Sequence, residues 1–388
     1  MNISKYVWPK VKLSDVCERV YLIDSRRQMG FINYVDIGSI NSELNRIENI
    51  QKLEWKNASS RARQVIKEFD TLFSTVRVNL KRIAFIKNEI PNGIASTGFT
   101  VLRAKQELID PYFLFINSIN PTFINRLILL QAGTAYPAVS DRIVFNQEIP
   151  LPPLDEQQRI VDLFQSLEAC INRLQEQNDQ LSRLKSQLLV ELFNNKKFGT
   201  SLQESDFEEI SFSKIANNIS ERVEPKETHL GIYVGLEHLD SGDLVIRRKG
   251  KPSDVIGTKL KIFKGDIIFG KRRAYLRKLA VSDFDGIASA HSMILRANEK
   301  AIEKDFLPYF MQSDTFMNRA VQISEGSLSP TIKWKTLADQ KFTLPKMVKQ
   351  PRLIEIFKQL DTTSELIKKQ VNLLKELKQN LLNEILGG

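Results

Sequence analysis

Leu151-Pro-Pro-Leu-Asp-Glu-Gln-Gln-Arg-Ile-Val-Asp-Leu-Phe164 recurs without a gap as Leu344-Pro-Lys-Met-Val-Lys-Gln-Pro-Arg-Leu-Ile-Glu-Ile-Phe357, 193 residues further along. The match extends outward on both sides. Gly133, Pro137 and Val139 meet Gly326, Pro330 and Ile332 at the same offset, the Gly-Ile-Ala that starts at Gly93 meets the one at Gly286, and VLRA ending at Ala104 meets ILRA ending at Ala297. Further back the offset drifts as loop insertions make it drift: Asp70-Thr-Leu-Phe73 lies on Asp266-Ile-Ile-Phe269, and Leu80-Lys-Arg-Ile-Ala84 on Leu276-Arg-Lys-Leu-Ala280. A period this long marks a duplicated unit, and each copy is expected to be a globular domain followed by a long helix. The division reads as a first domain over 1–150, a helix over 151–195, a second domain over 196–343 and a second helix over 344–388.

The helical reading rests on a seven-residue apolar repeat. Ile160, Leu167, Leu174, Leu181 and Leu188 recur one heptad apart, and Leu353, Leu360, Ile367, Leu374 and Leu381 repeat the pattern in the second copy. A second stripe adds Phe164, Ile171 and Leu192, answered by Phe357, Val371 and Ile385. Spacings of three and four between the stripes describe a coiled-coil seam. Each helix follows a Leu-Pro pair, and no proline falls within 154–195 or 352–388, so nothing interrupts a rod of roughly 55 to 60 Å. Two matched rods with such stripes are expected to pair with each other rather than each to fold back on its own domain. Asn178 sits on the second stripe where the repeat has Val371; buried, it fixes register, and solvated, it does nothing. A polar joint at Asn194 to Asp206 leads into the second domain. The expected architecture is therefore two α/β domains related by a pseudo-two-fold axis and separated by a long antiparallel two-helix coiled coil.

Composition excludes several classes. A chain of 388 residues with 42% hydrophobic and 26% charged residues fits two soluble globular domains. It contains no apolar run of transmembrane length, and MNISKYVWPKVKLSD at the start lacks the apolar core of a secretory signal, so a cytoplasmic home and no membrane partner are expected. Only Cys17 and Cys170 occur, with His229, His238 and His291. That set offers neither a disulfide framework nor a zinc-ligand cluster, and the cysteines read as ordinary, partly buried residues. No metal site and no catalytic residue are expected.

The net charge of +10, from 56 Lys plus Arg against 46 Asp plus Glu, suits a polyanion. It is also concentrated. Lys259, Lys261, Lys264, Lys271, Arg272, Arg273, Arg277 and Lys278 face the single acid Asp266, and Phe269 and Tyr275 flank the basic triplet. An apolar strand ending in a basic turn is expected there. The first copy answers with Arg61, Arg63, Arg77, Lys81 and Arg82. Arginine pairs with guanine edges and both residue types neutralise phosphates, so these are the candidate double-stranded-DNA contacts; a solvated basic face is the alternative for any one of them. Ser96 and Thr97, and His291 after the second Gly-Ile-Ala, are secondary candidates, His291 reading first as a hydrogen-bonded structural residue.

PLPPLDEQQRIVDLF leading into a leucine-striped helix, repeated as TLPKMVKQPRLIEIF, resembles the two conserved regions of type I restriction-modification specificity subunits. SRARQVIKEFDTLFSTVRVNL, KGDIIFGKRRAYLRK and EGSLSPTIKW resemble that family's target-recognition domains. The resemblance covers essentially the whole chain. It implies an α/β recognition domain akin to that of monomeric adenine methyltransferases and a protein that is inert alone. It further implies two modification subunits docked along the helices and carrying S-adenosylmethionine, and restriction subunits supplying ATP- and Mg-dependent translocation and cleavage; no cofactor is expected on this chain. The second copy departs from the family pattern at Lys346, Val348 and Pro351, where the first has Pro153, Asp155 and Gln158. A stand-alone methyltransferase needs a glycine-rich cofactor loop and an Asn/Asp-Pro-Pro-aromatic tetrapeptide. Neither string occurs, since Leu151 precedes Pro152-Pro153, and Glu224-Pro-Lys226 is only half of a nuclease motif. The remaining rival, a coiled-coil scaffold that binds protein alone, explains the rods but not basic clusters at matched positions.

Overall fold

The computed structural model describes residues 8–24, 28–194 and 202–387. The polar joint expected at Asn194 to Asp206 falls largely on 195–201, which lie outside the described residues. Two compact units are present, one formed by 1–174 with 369–388 and the other by 175–368. Each unit thus owns part of both long helices.

Both units are α/β and repeat one plan. In the first, an antiparallel sheet runs Cys17–Glu18, Phe99–Ala104, Thr71–Ser74, Ile83–Phe85, and a mixed sheet runs Gln51–Glu54, Phe31–Val35, Gly93–Ser96, Ala62–Val65. In the second, the antiparallel sheet is Ala216–Ile219, Ser292–Ala297, Ile267–Gly270, Leu279–Val281, and the mixed sheet is Arg222–Val223, Lys259–Ile262, Gly286–Ala288, Tyr233–Val234. The repeated Gly-Ile-Ala strand makes the parallel pairing in both, with Phe31–Val35 and with Tyr233–Val234. Thr71–Ser74 and Ile267–Gly270 are buried at every residue.

A buried carboxylate precedes each of those strands. Asp70 and Asp266 are both 1% exposed, a placement that costs several kcal/mol unless the charge is paired. Arg103 donates to both oxygens of Asp70 at 2.8 Å, and Arg296 to both oxygens of Asp266 at 2.7 and 3.0 Å. The remaining capacity takes the Lys67 and Phe263 backbone N–H groups. Asp266, the one acid in the basic stretch, is therefore spent on Arg296 and neutralises none of its neighbours.

The long helices span Leu154–Phe193 and Gln350–Leu386. The second starts two residues earlier than the proline argument places it, because Pro351 occupies the first turn, where a missing N–H costs nothing. Lys346, one of the departures from the family pattern, and nearby Lys349 are held by Asp206: its carbonyl accepts from Lys346 N at 2.8 Å and its carboxylate pairs with Lys349 at 3.1 Å. The shared glutamine does the same work in both copies. Gln157 accepts from Asp110 N and donates to the Pro152 carbonyl, both at 2.8 Å, and Gln350 accepts from Glu303 N and donates to the Pro345 carbonyl, both at 2.9 Å. Each glutamine pins a helix start to its own domain.

Within the first unit, Ile160, Val161 and Phe164 at the start of one long helix share a core with Leu382 and Leu386 at the end of the other. Within the second, Leu189, Leu192 and Phe193 share a core with Leu353, Ile354 and Phe357. Start lies against end both times, so the helices are antiparallel, as expected. Ile160, Leu353 and Ile367 are buried and Leu167, Leu174, Leu181, Leu188, Leu360, Leu374 and Leu381 are half-buried. Cysteine placement differs from expectation. Cys17 is buried, its thiol pushed up to about 12 by burial, and Cys170 is exposed because it lies off both stripes. Among the described residues, no helix is long and apolar enough to cross a membrane.

Phe164→Ala, at a fully buried end of the seam, is expected to cost about 3 to 5 kcal/mol, and Leu174→Ala, half-buried, roughly half as much. Shifts of the urea unfolding transition check the ranking; equal losses contradict it.

Candidate nucleic-acid interface

Each buried strand runs into a tight basic turn. After Thr71–Ser74 a single 3-10 turn, Val78–Leu80, is bracketed by Arg77 and Lys81, both left-handed at φ 50° and 51°. After Ile267–Gly270 the turn Ala274–Leu276 is bracketed by Arg273 and Arg277, at φ 55° and 50°. Left-handed backbone costs a residue with a side chain roughly 1 to 2 kcal/mol, and two such residues per turn persist only where neighbours hold them.

Two further loops supply that hold. Arg77 N donates to the Pro137 carbonyl at 2.7 Å and Arg273 N to the Pro330 carbonyl at 2.8 Å. Those prolines end short loops opened by Gly133 and Gly326, whose φ of 96° and 108° no side chain adopts cheaply. The loop after the Gly-Ile-Ala strand closes the other side: Thr75 N donates to the Gly98 carbonyl at 3.0 Å, and Arg272 N reaches the His291 carbonyl at 3.4 Å. Three loops thus converge at one edge of each domain.

The groups they present differ between the units. In the first, the Arg77 guanidinium stacks on Tyr136, 4.9 Å from the ring centroid, and Tyr136 is 72% exposed. Lys81 and Thr97 are exposed, and Thr97 N donates to the Arg61 carbonyl at 2.8 Å, which brings exposed Arg61 to the same edge. In the second, Arg272 and Arg273 both donate to the Ser329 hydroxyl, at 3.0 and 3.2 Å, and Arg272 also meets His291 Nε2 at 3.1 Å. A guanidinium only donates, so that imidazole nitrogen accepts and the ring is neutral with its proton on Nδ1. Burial and the charges of Arg272, Lys271 and Lys259 hold the His291 pKa below its usual value, in the same sense. Lys271 lies beside them half-buried, its pKa lowered by burial and by Arg222. Tyr275 is 53% exposed on the turn itself.

Other sequence candidates are taken up internally. Lys259 is 8% exposed, with its ammonium on the Ile256 and Gly257 carbonyls at 2.5 and 2.6 Å, and Arg63, its counterpart, donates to the Ile23 carbonyl at 3.1 Å. Arg82 bonds the Ile40 carbonyl, and Lys278 the Leu236 carbonyl at 2.5 Å. Arg277 pairs with Asp314 at 2.6 Å and caps Gln312. Ser96 is buried, its hydroxyl accepting from Gly98 N, and half-buried Lys261 lies on a strand, its N–H on the Glu221 carbonyl. The set left at the edge therefore narrows to exposed Arg61, Arg77, Lys81 and Thr97 in one unit and to half-buried Arg272 with exposed Arg273, Tyr275 and His291 in the other. Sequence reasoning missed Tyr136, Ser329 and Arg222; the repeated glycine and proline marked the loop, but nothing local showed which turn it supports. Among the described residues no group of three or more His, Cys, Asp or Glu is placed to hold a metal ion.

The family profile described as Type I restriction modification DNA specificity domain matches residues 7–183 and 233–376. The type I restriction enzyme MjaVIII specificity subunit of Methanocaldococcus jannaschii is 25% identical over 319 residues, which is 76% of this chain and 74% of that one. A chain solved in work on complex assembly and conformational transition of the type I R-M system is 24% identical with a TM-score of 0.64, over 97% of both chains. The HsdS subunit of Thermoanaerobacter tengcongensis is 26% identical with a TM-score of 0.50, over 97% of this chain and 96% of that one.

If the strained turn exists to present its side chain, Arg273→Gly separates stability from binding. Thermal stability is expected to hold or rise by up to about 1 kcal/mol as backbone strain is released. Affinity for duplex DNA is expected to fall, with the slope of log K against log salt reduced by about 1 if Arg273 meets a phosphate. Melting curves and salt-dependent fluorescence anisotropy measure both; unchanged affinity removes Arg273 from the interface.

Proposed function

Because the chain belongs to the type I restriction-modification DNA-specificity family, we propose that it reads a split, asymmetric DNA sequence and holds a methyltransferase on it without doing chemistry itself. The observation that carries this reading is the repetition of one three-loop edge in two domains that present unlike side chains there. In the first, an arginine lies over a tyrosine ring; in the second, two arginines share a serine beside a neutral histidine. Arginine with free edge donors pairs with guanine, and a hydroxyl or imidazole beside it restricts which base fits. Two different edges read two different half-sites.

The antiparallel helix pair keeps those half-sites a set number of base pairs apart, about one helical turn for heads on one DNA face. Two modification subunits dock along the helices and bring S-adenosylmethionine, flipping the target adenine out of the stack. Restriction subunits join the same assembly with ATP and Mg. The complex works in the cytoplasm, where the chromosome is.

Selection from a random duplex pool, with a modification subunit added, is expected to return a bipartite motif with an unread gap. A protein-only scaffold selects nothing. Arg272→Ala and Arg273→Ala are expected to weaken binding through the second half-site by about 1 to 3 kcal/mol where the arginine reads a base, seen as relaxed discrimination on mismatched duplexes. Inserting one heptad in both helices is expected to change the selected gap and leave both half-sites intact; the same gap in the lengthened protein sinks the ruler.

A further inference from the structure

The second stripe of the seam is not apolar throughout. Following its heptads, Lys185 stands between Asn178 and Leu192, and Lys378 stands at the same place in the other copy, between Val371 and Ile385. Neither lysine reaches into open water. Lys378 Nζ donates to Glu168 at 2.6 Å, and the other oxygen of that carboxylate accepts from the Tyr112 hydroxyl at 2.6 Å. Lys185 Nζ donates to Asp361 at 2.7 Å, whose second oxygen accepts from the Tyr309 hydroxyl at 3.0 Å. The lysine side chains are only 19% and 15% exposed. Both tyrosines are almost fully buried, at 4% and 5% exposure.

Each cluster therefore ties three separate pieces of chain: a short helix of the recognition domain, one long helix through its carboxylate, and the other long helix through its lysine. The two clusters occupy equivalent places in the two units. Leucine or methionine at a seam position packs well and tolerates sliding, whereas a partly buried ion pair gains little net stability and has one acceptable partner. Slipping the helices by a heptad, about 10 Å of rise, strands a lysine, a carboxylate and a phenol at once. A third polar contact, Ser364 to Asn178 at 2.6 Å, occurs in the second unit; the positions equivalent to these two, Val371 and Ile171, are apolar and buried.

We propose that the two Tyr–carboxylate–Lys clusters are positioning elements that index each recognition domain to the helix pair and thereby set which gap length between half-sites the subunit accepts. The inference rests on the DNA-reading function above and adds the residues that set the spacing. They touch no base; they act through the placement of the reading edges. One base pair more or less moves a half-site by about 3.4 Å and turns it by roughly 34 to 36°, a displacement that a loosely indexed head absorbs and a locked one does not.

The test uses the full-length chain with a modification subunit and a duplex panel in which the half-sites selected by the wild type stay constant while the gap is one base pair shorter, native or longer. Wild type is expected to favour its own gap by about 10-fold or more, equivalent to 1.4 kcal/mol. Lys185→Met and Lys378→Met keep the packing stem and lose the charge. Each is expected to bring that preference to within about 3-fold, with discrimination against single mismatches in either half-site unchanged. Tyr112→Phe and Tyr309→Phe, which remove one hydroxyl from a buried site that stays filled, are expected to relax the gap in the same direction and guard against a lysine variant that does not fold. Exchanging the partners, Glu168→Lys with Lys378→Glu, is expected to restore the wild-type preference. Folded variants that keep the wild-type gap preference overturn the inference. So does parallel loss of gap and half-site discrimination, since that marks a purely structural role. A wild-type protein with no gap preference likewise overturns it, whereas one that selects no half-sites at all takes down the DNA-reading function itself.

Discussion

Everything in this molecule answers to an apolar stripe that neither long helix can leave in water. A helix of 40 residues with leucine or isoleucine at every seventh position has no stable existence alone, and its partner is the matching stripe some two hundred residues away. Pairing the start of one helix with the end of the other makes each compact unit a composite of distant sequence. Phe164 with Leu382 and Leu386, and Leu189 with Leu353 and Phe357, are the two ends of that arrangement. The recognition domains are built onto those ends, with Gln157 and Gln350 as buried clamps.

Charge in this protein is sorted rather than merely abundant. Asp70 and Asp266 sit in the core only because Arg103 and Arg296 meet both oxygens of each. Several other cations, Lys259, Lys278 and Arg277 among them, are absorbed by backbone carbonyls or an acid. At the three-loop edges, Arg77, Lys81 and Arg273 remain outward on strained turns. The strain is offset by the two flanking loops, and the result is an arginine whose direction is fixed before any ligand arrives, which lowers the ordering cost of binding.

Much of this was legible in the chain. The duplication, the heptads and the apolar strand after Asp266 follow from spacing and apolar pattern, and the antiparallel pairing from the pseudo-two-fold axis that such a repeat favours. The edge itself was only half legible. Arg77, Arg272 and Arg273 stand out by charge, but whether a cation is spent inside depends on partners remote in sequence: Arg63 bonds Ile23, and Lys278 bonds Leu236. No periodicity encodes those pairs. Tyr136 and Ser329 matter because a loop folds back onto a turn more than fifty residues earlier, and the carboxylates that Lys185 and Lys378 meet lie across the seam, far away in sequence.

The composite units also impose an order on synthesis. The first unit needs residues from Lys369 onward to close over Ile160, Val161 and Phe164, yet the ribosome must first make the whole of 175–368. At about 5 to 20 residues per second, that apolar face waits uncovered for tens of seconds while the other unit can already close. The half translated first is thus the last to be finished, and a nascent chain stalled near its end leaves an open core at its beginning.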